Sequence, residues 1–383
     1  MDTAATSNTT GTGRVHTELA CYLLAGQPAS SRDLVAEAVE AERIGLGAAF
    51  ISERYNKKEA ATLCGAAGAV TERITIATAA TNHNTRHPMV TAGFARTMQS
   101  LTGGRFVLGL GRGVPTVQDA YGMSRITTAQ MEDFVGIMRR LFRGEVILNH
   151  QGPAGSWPVL HLDASLDEYL PMGIVAFGQN TLELGGRCFD HVVLHTFFTD
   201  ETTARAVQTV KQAAEKAGRD PDSVKVWSCF ATVGDHIPPE KRLMKLVGRL
   251  GTYLQGYGEL LVRTNGWDLA VLKRFLSDPV IAGVRGGLDV VGTQEQLEHA
   301  ATLIPEEWLP PPPRHGHPGA VRRRHPQPVR PRMRRRHPAR RHAQRARADR
   351  RRVRPHNRAR PVTGCPATRL PGHRPRGTAP APQ

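Results

Sequence analysis

The sequence predicts an α/β protein folded as a (β/α)8 TIM barrel, on two observations. Short apolar, strand-like runs alternate with helical segments, the pattern of a parallel sheet covered by helices. Seven such strands with intervening helices over roughly 300 residues suit an eight-stranded barrel better than an open sheet, and a closed barrel needs its eighth strand.

Glu18–Leu24 reads as the first strand. Ser31 then caps a helix whose Leu34, Ala38, Ala41 and Gly45 share one face. Ala48–Ser52 is the second strand, followed by a small-residue helix over Lys58–Val70. Ile74–Thr81 is the third, and Pro88 opens the next helix at its first turn, where a missing N–H costs nothing. Phe106–Leu110 is the fourth strand and Thr128–Phe142 a longer helix. From Gly144 to Pro171 the helical period fails, and this stretch is expected to be an insertion over the barrel mouth. Gly173–Phe177 and His191–Phe197 are strands five and six around a short helix, Thr181–Arg187. Thr202–Ala217 is helical, stopped by Gly218, and Ser223–Val233 is strand seven. Lys241–Leu276 mixes helix and loop, Gln294–Leu303 is a last helix, and Leu288–Val291 is a short candidate for strand eight.

The net charge of +17 suggests a nucleic-acid partner until it is mapped. Pro310–Gln383 holds 22 Arg, no Lys and one acid, Asp349, whereas residues 1–309 hold 29 Lys+Arg against 33 Asp+Glu. The basic character belongs to the tail alone. Residues 1–16 read as a loose N-terminus, 17–309 as the barrel domain and 310–383 as a disordered Pro/Arg-rich tail. The tail is either a basic arm binding nucleic acid non-specifically or high-GC coding sequence read out of frame. Under a one-base shift with synonymous codons chosen freely, His315–Val321 reads TGTPEQC, and Pro328–Arg354 reads QFDLGCDAVILHGATPNELAPIVDAY. That is a helix end, a strand and a capped helix in the order a barrel requires, so the native eighth strand and last helix are expected to be missing. Five scattered cysteines fit a reducing, cytoplasmic setting. No CxxC or HExxH spacing points to a metal, and no apolar run reaches the ~20 residues of a membrane span.

The most specific stretch is Gly103–Gly113, GGRFVLGLGRG. With TNHNTRHPMVTAGFARTMQSLTGGRF upstream (Thr81–Phe106) and GIVAFGQNTLELGGRCFDHVVLHTF further on, it resembles the bacterial-luciferase-like superfamily, in particular F420-dependent oxidoreductases, over about Thr17–Leu309. The resemblance implies hydride transfer at C5 of coenzyme F420 to or from a small-molecule substrate. FMN-dependent monooxygenation on the same barrel is the alternative, and a homodimer is a further implication.

Candidate site residues follow from the strand ends, the active face of such barrels. Gly109, Gly111 and Gly113 remove side chains where a flat ring could approach the backbone, or simply permit a tight turn; Arg112 lies among them. Gly178, Gln179, Asn180 and Thr181 open a helix whose free N–H groups could hold a cofactor phosphate, or form a plain turn capped by Asn180. Thr78–Thr81 matches the place of a non-proline cis peptide in the family, assigned here to Ala79-Ala80, with Thr81 beside it. Ser52, Glu53 and Arg54 close strand two where relatives carry a histidine near the reacting carbon. Ser52 is grouped with the cofactor, and Arg54, always charged, is expected to orient an anionic substrate or the acidic deazaflavin ring while Glu53 holds it. A structural Glu–Arg pair is the plainer reading. The lack of a Glu after strand four disfavours a sugar-phosphate substrate. Among His83, Asn84, His87 and His195, His195 at the end of strand six is the best general acid/base candidate.

Overall fold

The computed structural model describes residues 15–26, 28–163, 169–234 and 236–310. The tail beyond them, with Cys365, the proposed out-of-frame segment and the nucleic-acid arm, lies outside the described residues, as does nearly all of the expected loose N-terminus.

The first half follows the expected order: β1 (His16–Tyr22), α1 (Asp33–Arg43), β2 (Leu46–Ile51), α2 (Ala60–Ala69), β3 (Thr75–Thr78), α3 (Pro88–Leu101) and β4 (Phe106–Leu110). A short α4 (Pro115–Ala120) precedes α5 (Thr128–Phe142). Thr127 and Gln130 form a reciprocal capping box at the start of α5. Its buried face, Met131, Phe134, Val135, Met138 and Leu141, recurs at helical spacing against the sheet. Removing the ring of Phe134 would cost about 3–5 kcal/mol.

The stretch after α5, expected as an insertion over the barrel mouth, is a β-hairpin, β5 (Ile147–Gly152) and β6 (Gly155–Leu160). Pro153-Ala154 form its two-residue loop, and Pro158 is tolerated because β6 has one neighbour. The hairpin sits on the flank of α5: Asp133 accepts from the Ala154 N–H (2.9 Å) and pairs with His150 Nε2 (3.1 Å), while Ile147 and Leu160 join the main core. Trp157 lies between His150 and His87. Then come β7 (Met172–Ala176), α6 (Gln179–Cys188), β8 (His191–Leu194), α7 (Asp200–Lys216) and β9 (Lys225–Trp227).

Seven parallel strands run β1-β2-β3-β4-β7-β8-β9 in one curled sheet. The curl brings Trp227 of β9 edge-on to Phe50 of β2, with ring centroids 5.4 Å apart. Ala48, Ala77 and Ala79 leave the interior space that these two rings, Val107 and Val193 fill. Among the described residues β1 and β9 each pair with one strand only. The expected seventh strand, Ser223–Val233, shrinks to three residues because β8 alone supports it.

Beyond β9 the chain is helical: α8 (Pro239–Leu243), α9 (Arg249–Asn265), α10 (Leu269–Ser277), α11 (Pro279–Gly283), α12 (Leu288–Val291) and α13 (Gln294–Leu303). Leu288–Val291, the candidate eighth strand, is therefore a helical turn. It is pinned by α9 instead of a strand neighbour: Gln255 accepts from the Leu288 N–H (3.1 Å), and Leu288 fills the space that Gly251 leaves. Leu250, Leu254, Leu261, Phe275 and Leu288 form a second core under α9. No described helix is long and apolar enough to cross a membrane.

Candidate active site

The C-terminal ends of the strands meet in two groups. On the β2–β3–β4 side, the Glu53 side chain is buried (5 % exposed) and paired with Arg86 at 3.0 Å. The Thr81 hydroxyl donates to the same carboxylate (2.5 Å) and accepts from Arg86 (2.7 Å), and the Ala60 N–H reaches it at the start of α2. Arg86 also pairs with Glu59. The expected Glu53–Arg54 pair is thus corrected to Glu53–Arg86, because the guanidinium from the Arg-His-Pro step is the one that reaches inward. Beside it the Tyr55 hydroxyl donates to Asn82 Oδ1 (2.6 Å), whose amide donates to the Gly111 carbonyl (2.7 Å). These bonds tie three strand ends together and leave Glu53 and Thr81 fully engaged.

The Ala79-Ala80 peptide is cis. β2 and β4 hold this segment from both sides through Ala79 N–H to the Ile51 carbonyl (2.8 Å), Glu53 N–H to the Ala80 carbonyl (3.0 Å) and Thr81 N–H to the Gly109 carbonyl (3.0 Å). The glycines of β4 serve this bulge. A Cβ on Gly109 would lie 1.8 Å from the Thr78 carbonyl oxygen, and one on Gly111 2.8 Å from the Ala80 Cβ. The expectation that they clear space directly under a ring is corrected: β3 itself fills it, and half-exposed Ala80 forms the surface there. Gly113 has φ +76°, and Tyr55, Asn82 and Gln118 crowd the place a side chain would take. Arg112 donates to Thr128 Oγ1, and its Nε is buried without a partner.

At the end of β7, Gly178 is the N-cap of α6, with no side chain bonded to the first turn, while Gln179 and Asn180 are exposed. This end is open to an anion. Asn180 lies inside the helix and is not its cap, and Thr181 is buried in the first turn. Ser52 is half-buried beyond β2.

The β7–β8–β9 side lies under α9. His195 follows β8 and stacks on Phe177 with ring centroids 4.3 Å apart. Its Nδ1 faces the Thr196 carbonyl at 2.8 Å, which can only accept, so the proton is assigned to Nδ1. Nε2 then accepts from the Tyr257 hydroxyl at 2.9 Å. The Tyr253 ring lies 5.2 Å from that of Tyr257, and burial pushes the Tyr257 phenol far above its ordinary value. Burial also lowers the His195 pKa to about 4. Expected as the general acid/base, His195 is instead a neutral ring with both nitrogens taken. His83 stacks on Phe134, Asn84 donates to the Ser124 carbonyl, and His87 caps α3 through the Met89 N–H.

Arg249 and Tyr253 share a face of α9 at a four-residue spacing, and Tyr257 sits where that helix kinks (φ −156°, ψ 37°), its ring beside that of Tyr253. Sequence reasoning missed them. The spacing was the available signal, but a stripe of aromatic and basic residues on a helix looks the same when it faces solvent. The Arg249 guanidinium lies 5.0 Å over the Tyr253 ring and pairs with Asp289 of α12 at 2.6 Å. Burial above all, and then the like charge of Arg249, lower the pKa of Arg54 beyond the end of β2, while Asp289 and Tyr253 act the other way. The mouth therefore offers an aromatic wall, fixed hydroxyls and positive charge, with its strongest bases already bonded. Among the described residues no three or more His, Cys, Asp or Glu side chains gather in a metal-holding group.

The chain is 28 % identical over 253 residues to the 5,10-methylenetetrahydromethanopterin reductase of Methanolobus tindarius, covering 65 % of this chain and 75 % of that one. Its fold is similar to the structure of coenzyme F420-dependent tetrahydromethanopterin reductase from Methanopyrus kandleri, with a TM-score of 0.61 at 17 % identity over 76 % of this chain and 84 % of the other. It is also similar to a riboflavin lyase crystallised with modified FMN and riboflavin, with a TM-score of 0.53 at 14 % identity over 74 % and 84 %. A model of the luciferase-like monooxygenase family matches residues 11–237, more than half of the sequence. The chain belongs to the luciferase-like monooxygenase family, a family of oxidoreductases.

Proposed function

We propose that this protein is an F420-dependent oxidoreductase acting on a small organic substrate. The observation that carries the reading is the chemical character of the mouth. Glu53 is locked to Arg86 and Thr81, Arg54 is a permanent cation, and His195 has no free nitrogen. Such a site binds, orients and excludes water; it is poorly equipped for covalent or proton-abstraction chemistry. Hydride transfer needs that and no more from the protein, because the deazaflavin, when bound, supplies the reacting carbon.

The residues present fit such a cofactor. The open first turn of α6 at Gly178–Asn180 suits a phosphate, and half-exposed Ala80 between the bonded ends of β2 and β4 offers a flat, small-residue surface. Similarity to methylenetetrahydromethanopterin reductases favours F420, whereas the family's monooxygenases keep FMN as the second reading.

The test is cofactor retention. The full chain is incubated with F420 or FMN, passed through a desalting column, and the retained chromophore is read by absorbance. Retained F420 with FMN washed out is the expected result. Tight FMN retention without F420 binding would overturn the choice.

A further inference from the structure

The helices α2 and α3 are almost without charge. The ten residues of α2 include no charged side chain and the fourteen of α3 include one, Arg96, whereas α1 has five in eleven and α7 six in seventeen. A helix that covers a sheet ordinarily turns charged and polar residues to water. Here large apolar side chains stand out instead: Val70 is 39 % exposed, Val90 57 % and Leu101 51 %.

The two helices lie side by side and point the same way. Arg86 pairs with Glu59 where both begin, and a Cβ on Gly68 would meet Met98, Leu101 and Thr102 where both end. Val90 and Leu101 are about three turns apart, so they share one side of α3 with Gly93 between them. Half-exposed Gly65 and Ala66 occupy the middle of α2, and a Cβ at Gly65 or Gly93 would meet nothing within 4 Å. The face is therefore low in the middle and apolar at both ends.

A surface that binds a copy of itself must face its own charges, and an uncharged one has no repulsion to overcome. Small residues at the centre let two such faces approach closely, which brings their raised apolar ends into contact. A twofold axis through the centre sets α3 antiparallel to its image, the favourable order of helix dipoles, and Val90 then meets Leu101 of the second copy. Helices of these lengths, packed roughly 9 Å apart, present on the order of 400 Å² per copy, less than the share of a standard permanent interface. We propose that α2 and α3 form the twofold interface of a reversible, concentration-dependent homodimer. The interface would back the Glu53–Arg86 pair, since Ala60 of α2 donates to Glu53 and Arg86 leads into α3. It stands or falls independently of which cofactor binds.

The test is sedimentation velocity of the full chain, without ligand, across micromolar concentrations. The mass is expected to rise from 41.8 kDa toward twice that value. Val90→Glu and Leu101→Lys, each alone, put a charge against an apolar side chain of the second copy and weaken the dimer by about tenfold or more. Each charge suits the helix dipole at its own end of α3, so unfolding midpoints of the monomeric variants match the parent. Combined in one chain, the two substitutions set the new carboxylate against the new ammonium of the other copy and restore most of the affinity. Gln208→Glu, an exposed change on α7, leaves the dimer unaffected. A monomer at every concentration, an assembly that both single variants leave unchanged, or a double variant no better than the singles overturns the interface.

Discussion

Gly109 and Gly111 are two residues apart on one strand, yet they differ in how much a methyl group would cost. At Gly109 the added carbon meets a backbone carbonyl at 1.8 Å that β2 and β4 hold in place, so relief requires moving a strand. At Gly111 it meets another methyl at 2.8 Å, which a small shift of Ala80 relieves. Gly109→Ala is expected to destabilise the fold by about 3 kcal/mol or more, and Gly111→Ala by about 1–2 kcal/mol, as read by urea unfolding. Equal costs would show that β3 is not the rigid partner. Tyr257→Phe leaves His195 Nε2 as a buried acceptor with no donor, and the expected loss is about 1–3 kcal/mol. The histidines add a pH dependence. Burial lowers His83, His191 and His195 from 6.5 to about 4, so between those values the unfolded chain binds more protons than the folded one. Stability is therefore full above pH 6.5 and falls as the pH drops toward 4, by on the order of 3 kcal/mol for each histidine. Unfolding free energies measured across pH 4–7 check this, and a flat profile would contradict it.

At the scale of elements, the ends of β2 and β3 are joined by a buried ion pair instead of apolar packing. Arg86→Leu would leave the Glu53 carboxylate buried beside the Thr81 hydroxyl and the Ala60 N–H without a cation. The expected cost is about 3–5 kcal/mol, and Glu53→Gln in the same chain should recover much of it, because the charge is the source of the penalty. A double-mutant cycle measures this. Most elements were legible: apolar residues at helical spacing marked α1, Pro88 the start of α3, Gly218 the end of α7, and short apolar runs the strands. Glu53 was legible as a strand-end charge, but its partner was not, since Arg86 lies 33 positions further on. The hairpin escaped because Gly152-Pro153-Ala154-Gly155 sits between runs too mixed in polarity to read as strands. Leu288–Val291 misled for the opposite reason: an apolar run of four fits a strand and a buried helical turn equally well.

Over the whole molecule, the described sheet is curled but has two edges, β1 and β9. An unpaired edge invites association with other chains, and an eighth strand between them would remove it. If the arginine-rich tail is out of frame, the neighbouring frame of the coding sequence is open and continues in a strand and helix. A chain translated in that frame should then unfold at clearly higher urea and stay soluble where the present chain aggregates, a difference comparable to much of a typical ~5–15 kcal/mol stability. If the tail is a genuine basic arm, the present chain instead binds DNA with steep salt dependence that is lost on truncation at Leu309.

By itself the sequence determined the barrel class, the order of its strands, the glycine-marked fourth strand and the confinement of basic charge to the tail. Each is written in local spacing or composition, which a linear reading recovers. Only the tertiary structure decided that Glu53 belongs to Arg86 and that His195 is a neutral ring held by Tyr257. The first depends on how the ends of β2 and β3 lie side by side, the second on which strand end α9 folds over. Contacts across such sequence distances are set by packing, and packing leaves no local signature.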